Sequence, residues 1–426
     1  MTTGFNTRSL HAGTEPDPDT GARATPIYQT SSYVFEDADT AADLYALREE
    51  GDVYSRVSNP TVRQLEARLA DLEGGVGAVA AASGMGSFDA LTTVLAQSGD
   101  NVVASSDMYG GTGSYLSTLA PRRGIEARTV PTLEYDAYDD AIDDDTAYVH
   151  VETIANPSLV TPDFERLADI AHDHAVPLVV DNTFGTPALC RPLEHGADIV
   201  WESTTKWIHG SGTTVGGVLV DGGTFPWDHP DADYPELSGE NPGFGFDFSE
   251  RFGDRAFTLA ARHRAVRAIG NQQSPFDAWQ TMQGIETLPL RMDRHCANAH
   301  EVAAFLRDDP RVAWVTYPGF DDHATHDNAS GYLAGYGGMV TFGVEGGFEA
   351  AKAFCEAVEL TSFLANIGDA KTLVIHPAST THAQLSEDEQ RAAGVAPDML
   401  RLSVGIENSE DIIADLDAGL EVAADQ

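Results

Sequence analysis

The chain has 426 residues, of which 42 % are hydrophobic, and its 25 basic residues face 67 acidic ones for a formal charge of −42. That length supports two or three domains with sizeable cores, and the apolar content excludes a disordered chain. A surface this acidic repels phosphate backbones and anionic lipid, which excludes nucleic-acid and membrane partners. Only Lys206, Lys352 and Lys371 are lysines, and Asp and Glu occur in every segment. Acid spread in that way suits a halophile's enzyme better than a single acidic ligand-binding face. Cys190, Cys296 and Cys355 are odd in number and scattered, which points to a reducing cytoplasm rather than a disulfide framework or cysteine zinc site. The first residues lack a basic stretch followed by an apolar one, so no signal peptide is expected.

In chain order, residues 1–61 are rich in turn formers and read as an extended N-terminal arm. Residues 62–72 have helical apolar spacing and stop at Gly74-Gly75. Short β-branched runs follow at 77–81, 101–105, 147–151, 177–181, 198–203 and 216–220, alternating with helical stretches such as 164–175. This rhythm predicts an α/β fold with a mostly parallel central sheet over residues 62–273. Residues 224–256, full of Pro, Gly, Asp and aromatics, read as a surface insertion or lid. From Ser274 a long helix begins a smaller C-terminal α+β domain, 274–426.

In such sheets ligands gather at the carboxyl ends of the strands. Asp181 closes one apolar run, with Thr183 just beyond it, and Lys206 follows another in S-T-T-K. A lysine near a strand-end carboxylate, with hydroxyls at Ser203 and Thr205, is what pyridoxal 5′-phosphate (PLP) requires. The amine condenses with the cofactor's aldehyde, the carboxylate keeps its ring nitrogen protonated, and the hydroxyls donate to its phosphate. S-G-M-G (83–86) opens a helix whose first N–H groups, at Gly84 and Met85, can take a phosphate dianion. It is neither a Walker A loop nor G-x-G-x-x-G, which sets nucleotide binding aside. His323 and His326 have no convincing third partner for a metal and read as loop histidines, and no metal site is expected.

These motifs resemble the Cys/Met-metabolism family of PLP enzymes, fold type I, over nearly the whole chain. Y-S-R-V-S-N-P-T (54–61) is similar to the segment whose Tyr and Arg reach the cofactor phosphate of the neighbouring subunit. The resemblance therefore implies that role for Tyr54 and Arg56, in a dimeric catalytic unit that assembles further into a tetramer. It also implies that Tyr109 stacks on the cofactor ring, that Asn156 lies near the ring oxygen and the substrate, and that Arg401 clamps the substrate α-carboxylate. An arginine is suited to that bidentate contact.

Residues 366–382, beginning with Asn366, together with 283–291, 205–213 and the insertion, resemble the O-acetylhomoserine sulfhydrylase branch. Asn366 is thereby implied as a substrate-side residue, and His376 and His382 as structural or entrance residues. The implied reaction is γ-replacement: O-acetyl-homoserine and sulfide (or a thiol) give homocysteine (or its S-substituted form) and acetate, with succinyl in place of acetyl and activity on O-acetyl-serine left open. Lys206 carries the proton, assisted by Tyr109 and Tyr54. Methionine γ-lyases typically carry cysteine where Gly111 stands, which counts against that lyase. Cystathionine γ-synthase or γ-lyase activity, and a non-catalytic PLP-fold binding protein, remain the alternatives. One departure is plain: the usual His-Ser-Ala-Thr-Lys reads Glu202-Ser-Thr-Thr-Lys206.

Overall fold

The computed structural model describes residues 3–426 apart from 242, 382, 384, 385, 387–389 and 391–393, so His382 lies outside the described residues. Helix α1 (Pro60–Glu73) starts where the Asn59 side chain accepts from the Thr61 N–H and proline takes the first turn. It ends on Gly74, whose φ of 85° is the left-handed stop that glycine adopts without strain. Leu65, Leu69 and Leu72 form its buried face, packed on Val200, Val218 and Val220 of the main sheet.

That sheet contains β1 (Gly77–Ala81), β2 (Asn101–Ser105), β3 (Glu126–Val130), β4 (Thr146–Glu152), β5 (Leu178–Asp181), β6 (Ile199–Glu202) and β7 (Gly217–Asp221). Their order is β1-β7-β6-β5-β4-β2-β3. Only β7 runs against its neighbours, so the sheet is mostly parallel. The carboxyl ends of β1, β2, β4, β5 and β6 therefore share one edge. Helix α2 (Gly84–Leu95) leaves β1 at that edge, and α3 (Phe164–Asp173) crosses from β4 to β5. Apolar clusters cover both sheet faces, as a parallel sheet requires.

The strand runs read from sequence are all present within one or two residues. The polar-alternating β3 was not expected, because an edge strand with Glu126, Arg128 and Thr129 lacks an apolar signature. The expected single helix after Ser274 is two, α4 (Pro275–Ile285) and α5 (Leu288–Asp308). Pro289 stands in the first turn of α5, where its missing N–H is tolerated, and could not have continued α4. Residues 224–256 are no surface lid. Phe225, Trp227, Tyr234, Leu237 and Phe248 are buried in the main core, and the Tyr234 hydroxyl donates to the Ala147 carbonyl at 3.0 Å. Burying that aromatic area outweighs the turn-rich composition that suggests a loop. The arm, in turn, carries two short helices, Phe5–His11 and Ala38–Tyr45, between irregular stretches.

The second sheet has the order β10-β11-β12-β9-β8, built from β8 (Val312–Thr316), β9 (Met339–Val344), β10 (Ser362–Phe363), β11 (Leu373–Ile375) and β12 (Met399–Ser403). Helices α5, α6 (Gly347–Ala357) and α7 (Ser409–Ala423) share a core with it. Among the described residues, no helix is long and apolar enough to cross a membrane.

One contact ties fold to site. A Cβ built on Gly217 of β7 would overlap the Ser83 carbonyl at the start of α2. Gly217→Ala should push β7 away from that helix start. The expected result is a lower melting temperature and weaker PLP retention, read by thermal denaturation and dialysis.

Candidate active site

The loops at the shared strand edge bring together most of the residues singled out by sequence. Asp181 is buried at the end of β5, and its Oδ1 accepts from the Thr183 N–H at 2.9 Å. The Thr183 hydroxyl in turn accepts from the Ser203 N–H at 2.9 Å, linking the ends of β5 and β6. Burial raises the Asp181 carboxyl to about 7, and its own hydrogen bonds hold it back only in part. An anion this poorly solvated favours a nearby cation such as a protonated ring nitrogen.

At the start of α2 the Ser83 side chain accepts from the Gly86 N–H at 3.0 Å. The N–H groups of Gly84 and Met85 take part in no described hydrogen bond, as expected of a helix's first turn. A Cβ at Gly84 would lie 2.7 Å from the Ser203 Cβ, so glycine permits this close approach. Two free N–H groups at a helix start beside a serine hydroxyl fit a phosphate. Thr205 is differently placed. Its hydroxyl donates to the Gly216 carbonyl at 3.2 Å and accepts the Gly216 N–H at 3.1 Å. Its one proton is thus already engaged, and it reaches a phosphate only by turning.

The Lys206 amine donates to the Asn366 carbonyl oxygen at 2.6 Å. Burial first, and then the nearby Arg401 charge, lower its pKa to about 8. Arg401, on β12, donates to the Asn156 side-chain oxygen at 3.0 Å. Its Nε is buried without a hydrogen-bond partner, and among the described residues it makes no ion pair. Burial lowers even this guanidinium to about 10. A half-buried guanidinium with an open, buried N–H fits a carboxylate brought by a ligand better than a structural salt bridge.

Tyr109 is nearly half exposed, and its ring lies over Gly111, where a Cβ would overlap it. Tyr54 and Arg56 stand apart from this group within the chain. Arg56 donates to the Arg267 carbonyl and lies 5.5 Å from the Tyr54 ring centroid. Neither has a described hydrogen bond to Lys206, Asp181 or Ser203.

Two further residues did not stand out in the sequence. Glu152, at the end of β4 and paired in register with Asp181, accepts the Tyr109 N–H at 2.5 Å and the Asn156 N–H at 3.0 Å. One carboxylate thus fixes two loops, and burial together with Asp181 pushes its pKa well up. Its position directly after a β-branched run was the available signal. Arg291 donates to the Trp207, Ile208 and Gly284 carbonyls at 2.6, 3.0 and 2.8 Å, holding the turn that follows Lys206.

The profile of the Cys/Met metabolism PLP-dependent enzymes matches residues 6–421. The chain belongs to that family. It is 49 % identical to O-acetyl-L-homoserine sulfhydrylase 1 of Thermus thermophilus over 98 % of this chain and 99 % of that one. It is 48 % identical to a homocysteine synthase of Schizosaccharomyces pombe, over 98 % of both chains. A Campylobacter jejuni crystal structure assigned as an O-acetylhomoserine (thiol)-lyase, holding a pyridoxyl-lysine phosphate, superposes with a TM-score of 0.94 at 36 % identity. That match covers 98 % of this chain and 100 % of that one. The fold is thus that of fold type I PLP enzymes, and PLP is the cofactor.

Two outcomes follow for this family member. Glu152→Ala should leave two N–H groups unsatisfied, each costing about 1–3 kcal/mol, and lower kcat/KM at least tenfold, with Glu152→Gln intermediate. Only the neutral amine of Lys206 attacks a carbonyl. Stopped-flow loading of apoprotein with PLP should therefore speed up as pH rises towards about 8 and level off above it.

Proposed function

We propose that this enzyme converts O-acetyl-homoserine and sulfide to homocysteine and acetate, and with a thiol in place of sulfide gives the S-substituted homocysteine. The observation that carries the reading is Arg401, a half-buried guanidinium whose buried Nε–H has no partner and which makes no ion pair among the described residues, set beside a low-pKa lysine. The named relatives, a homocysteine synthase and an O-acetyl-L-homoserine sulfhydrylase similar over nearly their full lengths, support the substrate and product.

When bound, PLP delocalises the charge left at the substrate Cα and so makes its neighbouring bonds breakable. In this reading Arg401 takes the α-carboxylate, and Asn156 keeps the guanidinium turned towards it. Asp181, braced by Thr183, faces the ring nitrogen. Gly84, Met85 and Ser203, with Thr205 after rotation, take the phosphate. Lys206 is the cofactor anchor and the proton carrier. Its depressed pKa lets the amine accept a proton from Cα and return one near neutral pH, a contribution of about 10²–10⁴-fold for a well-placed base. Asn366 accepts from that amine and sets its direction. Tyr109 would stack on the cofactor ring and serve as acid or base at the γ-leaving group. Residues 1–61 form an arm whose exposed Tyr54 and Arg56 serve a neighbouring subunit, making a homodimer the smallest complete unit and a tetramer the expected assembly. Residues 62–273 hold the cofactor, and 274–426 supply the carboxylate clamp.

The decisive assay supplies O-acetyl-homoserine with either sulfide or cysteine. Faster homocysteine formation from sulfide is expected, whereas faster cystathionine formation from cysteine would replace this reading with a γ-synthase. Arg401→Leu should raise KM for the amino-acid substrate by about 10- to 100-fold, the usual size of a charged hydrogen-bond loss, and leave KM for sulfide unchanged. O-succinyl-homoserine and O-acetyl-serine complete the substrate panel.

A further inference from the structure

Behind the cofactor-facing side of the sheet lies a second carboxyl group that the chemistry above does not use. Side chains alternate along β6, so Val200 and Glu202 point towards α1. Val179, two residues before Asp181 on β5, joins the cluster on the opposite face. Glu202 therefore lies across the sheet from the face that Asp181 presents. There it lies beside Glu73, the last residue of α1, close enough for the two carboxyls to act on one another. Both are fully buried.

The partners of this pair define its chemistry. The Asn182 amide donates to Glu73 Oε1 at 2.8 Å and to the Cys190 carbonyl at 2.9 Å, while its oxygen accepts from the Thr153 hydroxyl at 2.8 Å. Glu73 Oε2 and both Glu202 oxygens are buried with no donor among the described residues. Two carboxylates cannot sit together undonated in an apolar site, because each would lose its hydration for nothing. Among the described residues no other donor reaches these oxygens, which leaves a carboxyl proton to bridge them.

We infer that Glu202 and Glu73 share one proton, and that this carboxyl pair is a positioning clamp holding the ends of β5 and β6 at the spacing that presents Asp181 and Lys206 to the cofactor. Glu202 directly precedes Ser203, and Glu73 holds Asn182, which directly follows Asp181. The shared proton therefore joins both strand ends from behind. Other charged and titratable groups facing the pair are few. Arg191 favours the ionised form of Glu73, Glu194 opposes it, Asp181 acts on Glu202 through the sheet, and the buried Cys190 thiol is itself pushed up by burial and Glu73. Arg191 is tied to Glu194 at 2.9 Å, which leaves it little to spend on Glu73. Burial raises both carboxyls; Glu73 pushes Glu202 further, well above the ordinary range, while the Asn182 amide and Glu202 hold Glu73 back to about 7.

The sign of the pH effect follows. The folded chain keeps a proton that the unfolded chain releases near 4.5, so stability falls as pH rises until the pair is fully ionised. Ionisation leaves two facing carboxylates and forces the strand ends apart. Glu202→Gln supplies its own N–H donor and cannot ionise, so it keeps the clamp and removes its pH dependence. The test is run on the cofactor-loaded protein. Infrared spectroscopy in heavy water at neutral pH should show a protonated-carboxyl stretch that Glu202→Gln abolishes. PLP retention on dialysis and the melting temperature, followed from about pH 6 to about pH 9, should both fall more steeply in the wild type than in Glu202→Gln. The difference expected in PLP affinity is about tenfold per pK unit of coupling. Glu202→Ala should weaken retention throughout. Should Glu202→Gln fail to fold, Glu73→Gln reports the same proton from the other side. An absent carboxyl band, a band insensitive to both variants, or equal pH profiles would overturn the clamp. None of these readouts depends on which substrate the enzyme takes.

Discussion

Lys206 and Arg401 are half-buried and close enough for the Arg401 charge to depress the Lys206 pKa, and among the described residues neither meets a carboxylate. In a protein with 67 acidic residues that separation is hard to maintain by accident. Most other arginines with a described ion pair reach an Asp or Glu within about 3 Å, as Arg262 does to Glu66 and Arg311 to Asp309. Burying a cation without its counter-ion is costly, and the site tolerates that cost because the missing anions arrive with cofactor and substrate. The surrounding structure serves this separation. Asn366 and Asn156 are neutral acceptors that satisfy the cations without discharging them, and Arg291 holds the Lys206 turn through carbonyls alone.

The carboxyl groups follow a complementary rule. Strands β4, β5 and β6 are parallel neighbours and each ends in an acid, Glu152, Asp181 and Glu202. Register and side-chain alternation send the first two to the cofactor face and the third to the face of α1. Glu152 accepts two loop N–H groups, Asp181 accepts from Thr183, and Glu202 finds only another carboxyl. The same residue type thus orients loops, braces a strand end or faces another carboxyl, according to which donors its face provides.

Much of this was legible in the sequence because it rests on local patterns. The buried strands announce themselves as β-branched runs, Gly74 marks the end of α1, and Asp181 and Lys206 follow their runs at the edge where parallel sheets bind ligands. What escaped depends on long-range packing. The aromatics of 224–256 look like loop residues until Phe225, Trp227 and Tyr234 are seen beneath the sheet. The role of Glu152 lies in backbone N–H groups 43 and four residues away, which side-chain patterns do not reveal. Tyr54 and Arg56 make no described hydrogen bond to Lys206, Asp181 or Ser203 of their own chain, and only the family resemblance gives them a place in a neighbour's site.

The central claim is that Lys206, and no other amine, joins this fold to its cofactor. With only two other lysines, Lys352 and Lys371, the claim meets a clean test. The purified protein, incubated with PLP and reduced with borohydride, is digested and its peptides are weighed by mass spectrometry. A pyridoxyl adduct confined to the peptide containing Lys206 is the predicted result. Stoichiometric adduct on Lys352 or Lys371, or none on Lys206, would contradict the account.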